Sequence, residues 1–421
     1  MMNLIIHRGS SEIGGTCIEL QTASTRILVN FGTPLVNKQG GSFHFDQHKH
    51  HSVDRLIRDG ILPDIKSAYD SNTQIGGLLI SHPHADHFGL MQYLSPQIPI
   101  WLGKATHEIL KINNIFLPQN NVISHPKYFN KNEPFQIGDF TITPYWNDHS
   151  AFDAYSFLIE AEGKRIFYTG DFRAHGRKQK AFYWLLHNAP KNVDYLMMEG
   201  TTIGRNPSQL KTEEDIENEL VDTFKNSTGI NYIYTSSQNI DRLVSIYKAC
   251  LQTHKTFVVD IYTAQILNTL SKYAGLPSPA KGFTNIKVFY AHRTTTRLFD
   301  SGKEQVAYQF TKYKITREEI HANPDQFVMV VRPSMEPEIR KLDLSNGNFI
   351  YSLWEGYKAQ SSTKAFVHRF KSKGFSIHNI HTSGHADVAT LKKLVDAINP
   401  KAIIPVHTFH KDWSCYICPD I

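Results

Sequence analysis

Residues 81–89 read Ser81-His-Pro-His-Ala-Asp-His-Phe-Gly89. The pattern HxHxDH puts His82, His84, Asp86 and His87 within six residues. On an extended segment His82 and His84 point the same way, because side chains alternate with a period of two. A turn then brings Asp86 and His87 towards a second point nearby. The preceding run, Ile75-Gly-Gly-Leu-Leu-Ile80, is short and apolar, as a buried strand is. Leu90, Met91, Tyr93 and Leu94 after Gly89 predict the start of a helix. The stretch therefore sits on a turn at a strand end, where one segment can begin two adjacent metal sites rather than one. Imidazole and carboxylate donors without thiolate suit zinc, with manganese or iron as alternatives.

Outward from this turn, further histidines and acidic residues stand beside predicted strands. His149 follows Tyr145-Trp-Asn-Asp and precedes the apolar run 154–160. Asp171 closes Tyr168-Thr-Gly-Asp171 after the strand that begins at Arg165. Glu199 ends the apolar strand 193–198, and His407 ends the strand 401–406. His381 and His385 lie in His381-Thr-Ser-Gly-His385-Ala-Asp387, after a predicted strand at 376–380 and before a helix over 385–398. Strand-edge positions hold side chains rigidly without burying them. Residues 37–51 carry His44, His48, His50 and His51 at irregular spacing, which reads as a flexible surface loop rather than a metal site.

Between these two regions the pattern changes. Thr212 can cap a helix running to Phe224, with Glu213 and Glu214 in its first turn and Ile216, Leu220, Val221 and Phe224 on one face. Strands at 230–235, 256–259, 327–331 and 349–352 alternate with helices at 239–250 and 262–273. That alternation implies a parallel sheet covered on both sides. Residues 281–323 have no clear period.

The whole chain sets wide bounds. Its 421 residues suit two domains, and 41% hydrophobic with 20% charged residues is ordinary globular composition. A net charge of +6 permits an anionic substrate without arguing for one. Cys17 and Cys250 read as buried thiols. Cys415 and Cys418 lack the second pair that would complete a zinc site. This usage fits a reducing cytoplasm. The N-terminal apolar run is too short for a signal peptide, and no segment suits a membrane span.

The HxHxDH turn, His149, Asp171 and His407 together resemble the metal-binding motifs of the metallo-β-lactamase fold, an αββα sandwich. The unit inserted within it resembles the β-CASP subgroup, an α/β domain of parallel-sheet type. Within that subgroup the chain is most similar to the ribonuclease J family. Glu12-Ile-Gly-Gly15, Thr235-Ser-Ser-Gln-Asn-Ile-Asp-Arg242 and His381-Thr-Ser-Gly-His385 carry that likeness, which covers about residues 1–421. No counterpart of that family's additional C-terminal domain is expected. The resemblance implies a metallo-β-lactamase domain in two parts, residues 1–203 and 367–421, with the β-CASP domain at 204–366.

By the same resemblance, one divalent metal takes His82, His84 and His149. The other takes Asp86, His87 and His407, and Asp171 bridges both. Zinc is expected, with manganese as the alternative. Glu199 and His385 join Asp86 and Asp171 as catalytic residues, with His385 as acid or transition-state stabiliser. His381 and Ser383 contact substrate phosphate. The implied activity is phosphodiester hydrolysis by a two-metal-activated hydroxide, as an endo- or 5′ exoribonuclease. The substrate is single-stranded RNA lying between the two domains, in a cytoplasmic protein compatible with a homodimer. A hydrolase of a small phosphodiester or other small ester, and a nucleic-acid-binding protein of weak activity, are the alternatives. Two departures from the family pattern stand out. Asn30 replaces the usual aspartate that supports a metal-bound histidine, and Thr408-Phe409 replaces the usual Gly-Glu. His410 is read as serving local structure.

Overall fold

The computed structural model describes residues 2–37, 41, 43–117, 121–205, 210–410 and 413. Cys415 and Cys418 lie outside these residues. The chain divides into two compact units. The first comprises residues 1–111, 119–209 and 384–421, and the second residues 112–118 and 210–383.

Among the described residues, two six-stranded sheets build the first unit. One runs in chain order through β1 (Asn3–Arg8), β2 (Cys17–Gln21), β3 (Arg26–Val29), β4 (Ile75–Leu79), β5 (Ile100–Leu102) and β6 (Pro126–Tyr128). The other contains β7 (Phe135–Ile137), β8 (Phe140–Trp146), β9 (Tyr155–Ala161), β10 (Lys164–Tyr168) and β11 (Tyr195–Glu199), with the strand Ala402–Val406 beyond β11. The sheets face each other across one apolar layer. Ile18, Leu20, Ile27, Val29 and Leu79 enter it from the first sheet, and Ile142, Phe157, Ile159, Ile166 and Met197 from the second. Strand alternation sends Leu28, Leu78 and Ile100 to the opposite face of the first sheet, against Leu56 of the helix Val53–Arg58. It likewise sends Leu158, Phe167, Leu196 and Met198 outward, against the helices Gln179–Asn188 and Val388–Ile398. The result is the four-layer metallo-β-lactamase sandwich, helices outside two sheets.

The second unit is a wholly parallel seven-stranded sheet. Its strands are β12 (Ile230–Tyr234), β13 (Thr256–Asp260), β14 (Ile286–Phe289), β15 (Lys314–Ile315), β16 (Phe327–Val331), β17 (Gly347–Tyr351) and β18 (Ser376–Asn379). Their order is β15-β14-β13-β16-β12-β17-β18, and the strand Ala402–Val406 of the first unit becomes β19. The helix Glu213–Lys225 starts in a reciprocal capping box between Thr212 and Asp215. Arg242 and Glu213 form a buried pair at 3.0 Å.

Three local expectations are corrected. Ser376–Asn379, expected with the C-terminal return, instead pairs with β17 at the edge of the parallel sheet. The helix expected to begin after Gly89 is only a 3₁₀ turn, Met91–Tyr93, and a further single α-turn, Ala85–Phe88, lies inside the ligand motif with Gly89 as its C-cap. Residues 281–323, left unassigned, hold β14, β15 and the short helices His292–Asp300, Gln305–Tyr308 and Arg317–Ala322. Among the described residues no helix is long and apolar enough to cross a membrane.

Candidate metal centre

Backbone hydrogen bonds hold the HxHxDH turn. Thr16 N–H donates to the Asp86 carbonyl at 3.2 Å, Phe31 N–H to His87 at 2.7 Å and Thr33 N–H to Ala85 at 2.9 Å. Gly32 lies against this turn. A Cβ there would sit 1.6 Å from the Asp86 carbonyl oxygen, so only glycine permits the approach.

Two groups of donors converge beside this turn. Ligand atoms of His82, His84 and His149 lie within 4.8 Å of one another, as do those of Asp86, His87, Asp171 and His407. His149 Nε2 faces His84 Nδ1 at 3.1 Å. The His149 Nδ1 proton is directed to the Gly384 carbonyl at 2.8 Å, which leaves the Nε2 lone pair as a donor. His82 Nδ1 meets Ser81 Oγ at 3.0 Å. Asp171 Oδ2 stands between the groups, 3.7 Å from His82, 3.1 Å from His87 and 3.9 Å from His407. His82 Nε2 and Asp171 Oδ1 are buried without a hydrogen-bond partner among the described residues. Buried polar atoms seldom lack partners, and a cation between them would satisfy both. The donor set, histidine and carboxylate alone, therefore fits divalent metal ions.

Charge follows this geometry. Burial, reinforced by neighbouring imidazoles, holds His82 and His149 well below the ordinary histidine range, in the neutral form that binds metals. Burial also lowers His84 to about 4, although Asp86 and Asp171 oppose it. His407 differs. Burial opposes its charge, yet Asp171 and Asp86 outweigh that and push it up to about 9. A metal ion entering beside Asp86 must displace the His407 proton. Affinity of that group should therefore rise about tenfold per pH unit up to about 9, while His82, His84 and His149 show little change above pH 7. Zinc-buffered titrations between pH 6.5 and 9 read this directly; two pH-independent equivalents would contradict it.

Glu199 and His385 adjoin the second group. Glu199 Oε1 lies 3.2 Å from His385 Nδ1 and accepts the Phe172 N–H, while Oε2 accepts the Thr201 N–H. Burial opposes charge on His385, but Glu199 and Asp171 outweigh it and raise its pKa. Thr201, which sequence reading passed over, lies 2.8 Å from His407 Nδ1 and 3.2 Å from His385 Nδ1 through its hydroxyl. Only its place two residues past a strand-ending glutamate hinted at this. Asp148, beside His149, accepts the Gly176 N–H at 2.8 Å and lies 3.8 Å from buried Arg173. His381 and Ser383 belong to the second unit and are not among the grouped donors. His410 packs locally: it fills the space a Cβ at Gly204 would need, and its carbonyl accepts Trp413 Nε1–H at 3.0 Å.

Asn30 occupies the usual aspartate's place in a left-handed conformation, φ 58°. Its Oδ1 accepts the Ser81 backbone N–H at 3.0 Å, which fixes the direction of the amide. Nδ2 then faces His87 Nδ1 and Tyr168 Oη, each at 2.8 Å.

Comparisons with known proteins agree with the fold. The family described as "Beta-lactamase superfamily domain" matches residues 58–220, and "Zn-dependent metallo-hydrolase RNA specificity domain" matches residues 374–412. Ribonuclease J of Helicobacter pylori is 22% identical over 410 residues, covering 95% of this chain and 55% of that protein. Ribonuclease J of Mycoplasma genitalium is 21% identical over 372 residues, covering 85% of this chain and 61% of that protein. The chain thus spans little more than half the length of these curated relatives. A crystal structure of a protein of unknown function from Enterococcus faecalis V583 superposes with a TM-score of 0.77 at 23% identity, covering 97% of this chain and 94% of that one.

Proposed function

For a metallo-hydrolase of the metallo-β-lactamase and β-CASP superfamily related to the ribonuclease J proteins, as this chain is, we propose hydrolysis of phosphodiester bonds in single-stranded RNA. The observation that carries this reading is the Glu199–His385 pair, 3.2 Å apart, beside the Asp86, His87, Asp171 and His407 donors. It sets a proton donor next to a place for divalent ions. Two divalent ions, zinc or manganese, held by His82, His84 and His149 and by Asp86, His87 and His407, would supply a nucleophile at neutral pH and neutralise phosphoryl charge.

The protein's own side chains do the rest. Asp171 fixes the distance between the two groups. Glu199 holds His385 Nδ1, so the proton for the leaving oxygen comes from Nε2 as the phosphorus–oxygen bond breaks. Thr201 keeps the His385 and His407 rings in register. His381 and Ser383 are assigned to substrate phosphate, on residues just before the helix Val388–Ile398. In the second unit, a cavity of about 490 Å³ lined by Thr235, Ser236, Ser237 and Ser334 offers hydroxyls for the RNA backbone, while Arg332 in its wall is paired with Asp260 at 2.9 Å.

The test is end-labelled RNA bearing a 5′ monophosphate, triphosphate or hydroxyl, incubated with zinc- or manganese-loaded protein. Mononucleotides with a 5′-monophosphate preference indicate an exonuclease, and internal fragments an endonuclease. His82→Ala should abolish either. If RNA stays intact while a small phosphodiester is turned over, the small-substrate reading replaces this one.

A further inference from the structure

The loop between β3 and the helix Val53–Arg58 contains a second set of metal-type donors, using none of the residues above. Ligand atoms of His48, His51 and Asp59 lie within 4.8 Å of one another. His51 Nδ1 is 3.6 Å from Asp59 Oδ2, too long for a hydrogen bond. Nδ1 of His48 and Nδ1 of His51 are both shut off from solvent without a hydrogen-bond partner among the described residues. Leaving two such nitrogens unsatisfied is costly.

The backbone builds the set locally. His48 N–H donates to Phe45 at 2.8 Å and His51 N–H to His48 at 2.9 Å, so a tight turn brings the two imidazoles onto one side. Their ring centroids are 5.4 Å apart at 80°. Phe43 stacks on His48 at 5.3 Å and 4°, and Phe43 and Phe45 pack against the core. Ser52 caps the helix, and Asp59 ends it. The helix thus returns a carboxylate to the turn it left. One competitor is present: Arg55 Nε lies 3.7 Å from Asp59 Oδ2, on a side chain more than half exposed. That exposed contact is weak and easily exchanged.

We propose that His48, His51 and Asp59 form a structural site for one divalent transition-metal ion of the zinc class, which staples this loop to the helix end. Two imidazoles and a carboxylate match zinc, cobalt or nickel better than the all-oxygen shells of calcium or magnesium. Bonds of 2.0–2.2 Å need ligand atoms about 3.3–3.5 Å apart, so closure is about an ångström of side-chain movement. Water completes the coordination. The ion satisfies both orphaned nitrogens and closes a short loop.

Metal content after equilibration with zinc tests this on the full chain. The parent should hold one equivalent more than the His48→Ala/His51→Ala variant. An Asp171→Ala variant should retain that equivalent whatever happens at the centre described above. Zinc should also slow proteolysis within residues 43–52 of the parent and not of the double variant. Asp59→Asn, which keeps both imidazoles and the shape of the aspartate, should weaken retention of the same equivalent. Equal zinc content in parent and double variant, or unchanged protease protection, overturns the proposal. Neither result depends on RNA hydrolysis, so failure here leaves the catalytic reading intact, and the reverse.

Discussion

Replacing His385 with alanine is expected to lower the proposed RNA hydrolysis by about 10²–10⁴-fold, with divalent-metal content unchanged. The reason is positional. His385 is not among the residues assigned as metal ligands, yet its Nδ1 lies 3.2 Å from Glu199 Oε1 and 3.8 Å from Asp171 Oδ2. Losing the ring removes the proton source and leaves the donor groups in place. Glu199→Gln separates this role from a structural one. The Glu199 carboxylate raises the pKa of His385, so the ring keeps its proton to higher pH. Without that charge the proton is lost earlier, and the alkaline limb of the rate profile moves to lower pH. A His385→Ala variant within twofold of the parent, or a Glu199→Gln profile that falls uniformly at every pH, would remove His385 from the chemistry.

The second large effect is a gain. Asn30→Asp should tighten divalent-metal binding at the Asp86, His87 and His407 group by about 10–100-fold. An amide nitrogen donates and does not accept. The Ser81 N–H holds Asn30 Oδ1, so Nδ2–H must donate to His87 Nδ1 at 2.8 Å. That places the His87 proton on Nε2, where it faces Asp171 Oδ2 at 3.1 Å. The lone pair a metal needs is on the wrong nitrogen. Aspartate would keep the Ser81 bond with one oxygen and accept from His87 Nδ1–H and the Tyr168 hydroxyl with the other, turning Nε2 into a donor. The same change buries a carboxylate at a fully buried position. The metal-free variant should therefore melt lower and the loaded one higher than the parent. Unchanged affinity in a competitive zinc titration would mean that the Asn30 amide turns over without cost.

Much of this centre was legible because metal chemistry resides in residue type. His82, His84, Asp86 and His87 stand out by spacing, whereas His149, Asp171 and His407, each beside a strand, are singled out only by resemblance to a family's motifs. The sandwich was legible through the motif resemblance rather than through periodicity, since strands such as Arg26–Val29 and Ile75–Leu79 are apolar on both faces. What stayed hidden depends on partners remote in sequence. Ser376–Asn379 is four residues of mixed exposure and would suit either sheet; its pairing with β17 is a tertiary choice. Thr201 gained its role only when β11 and β19 became neighbours. His48 and His51 looked like scattered loop histidines because Asp59, across a helix, has no marker in the sequence. The 281–323 region was opaque because its elements run only two to nine residues, too short for a period to emerge.

The backbone clamp on residues 85–87 bears on how fast the centre fills. Three main-chain hydrogen bonds and the bare Cα of Gly32 fix the turn through the chain's own backbone. The chain's search for a coordinating geometry is thus already over, and its entropic cost belongs to folding. An incoming ion has only its own water to shed and the protons on His407 and His87 to displace. Uptake should therefore follow first-shell water exchange of the free ion, so that fast-exchanging metals load sooner than slow ones irrespective of final affinity.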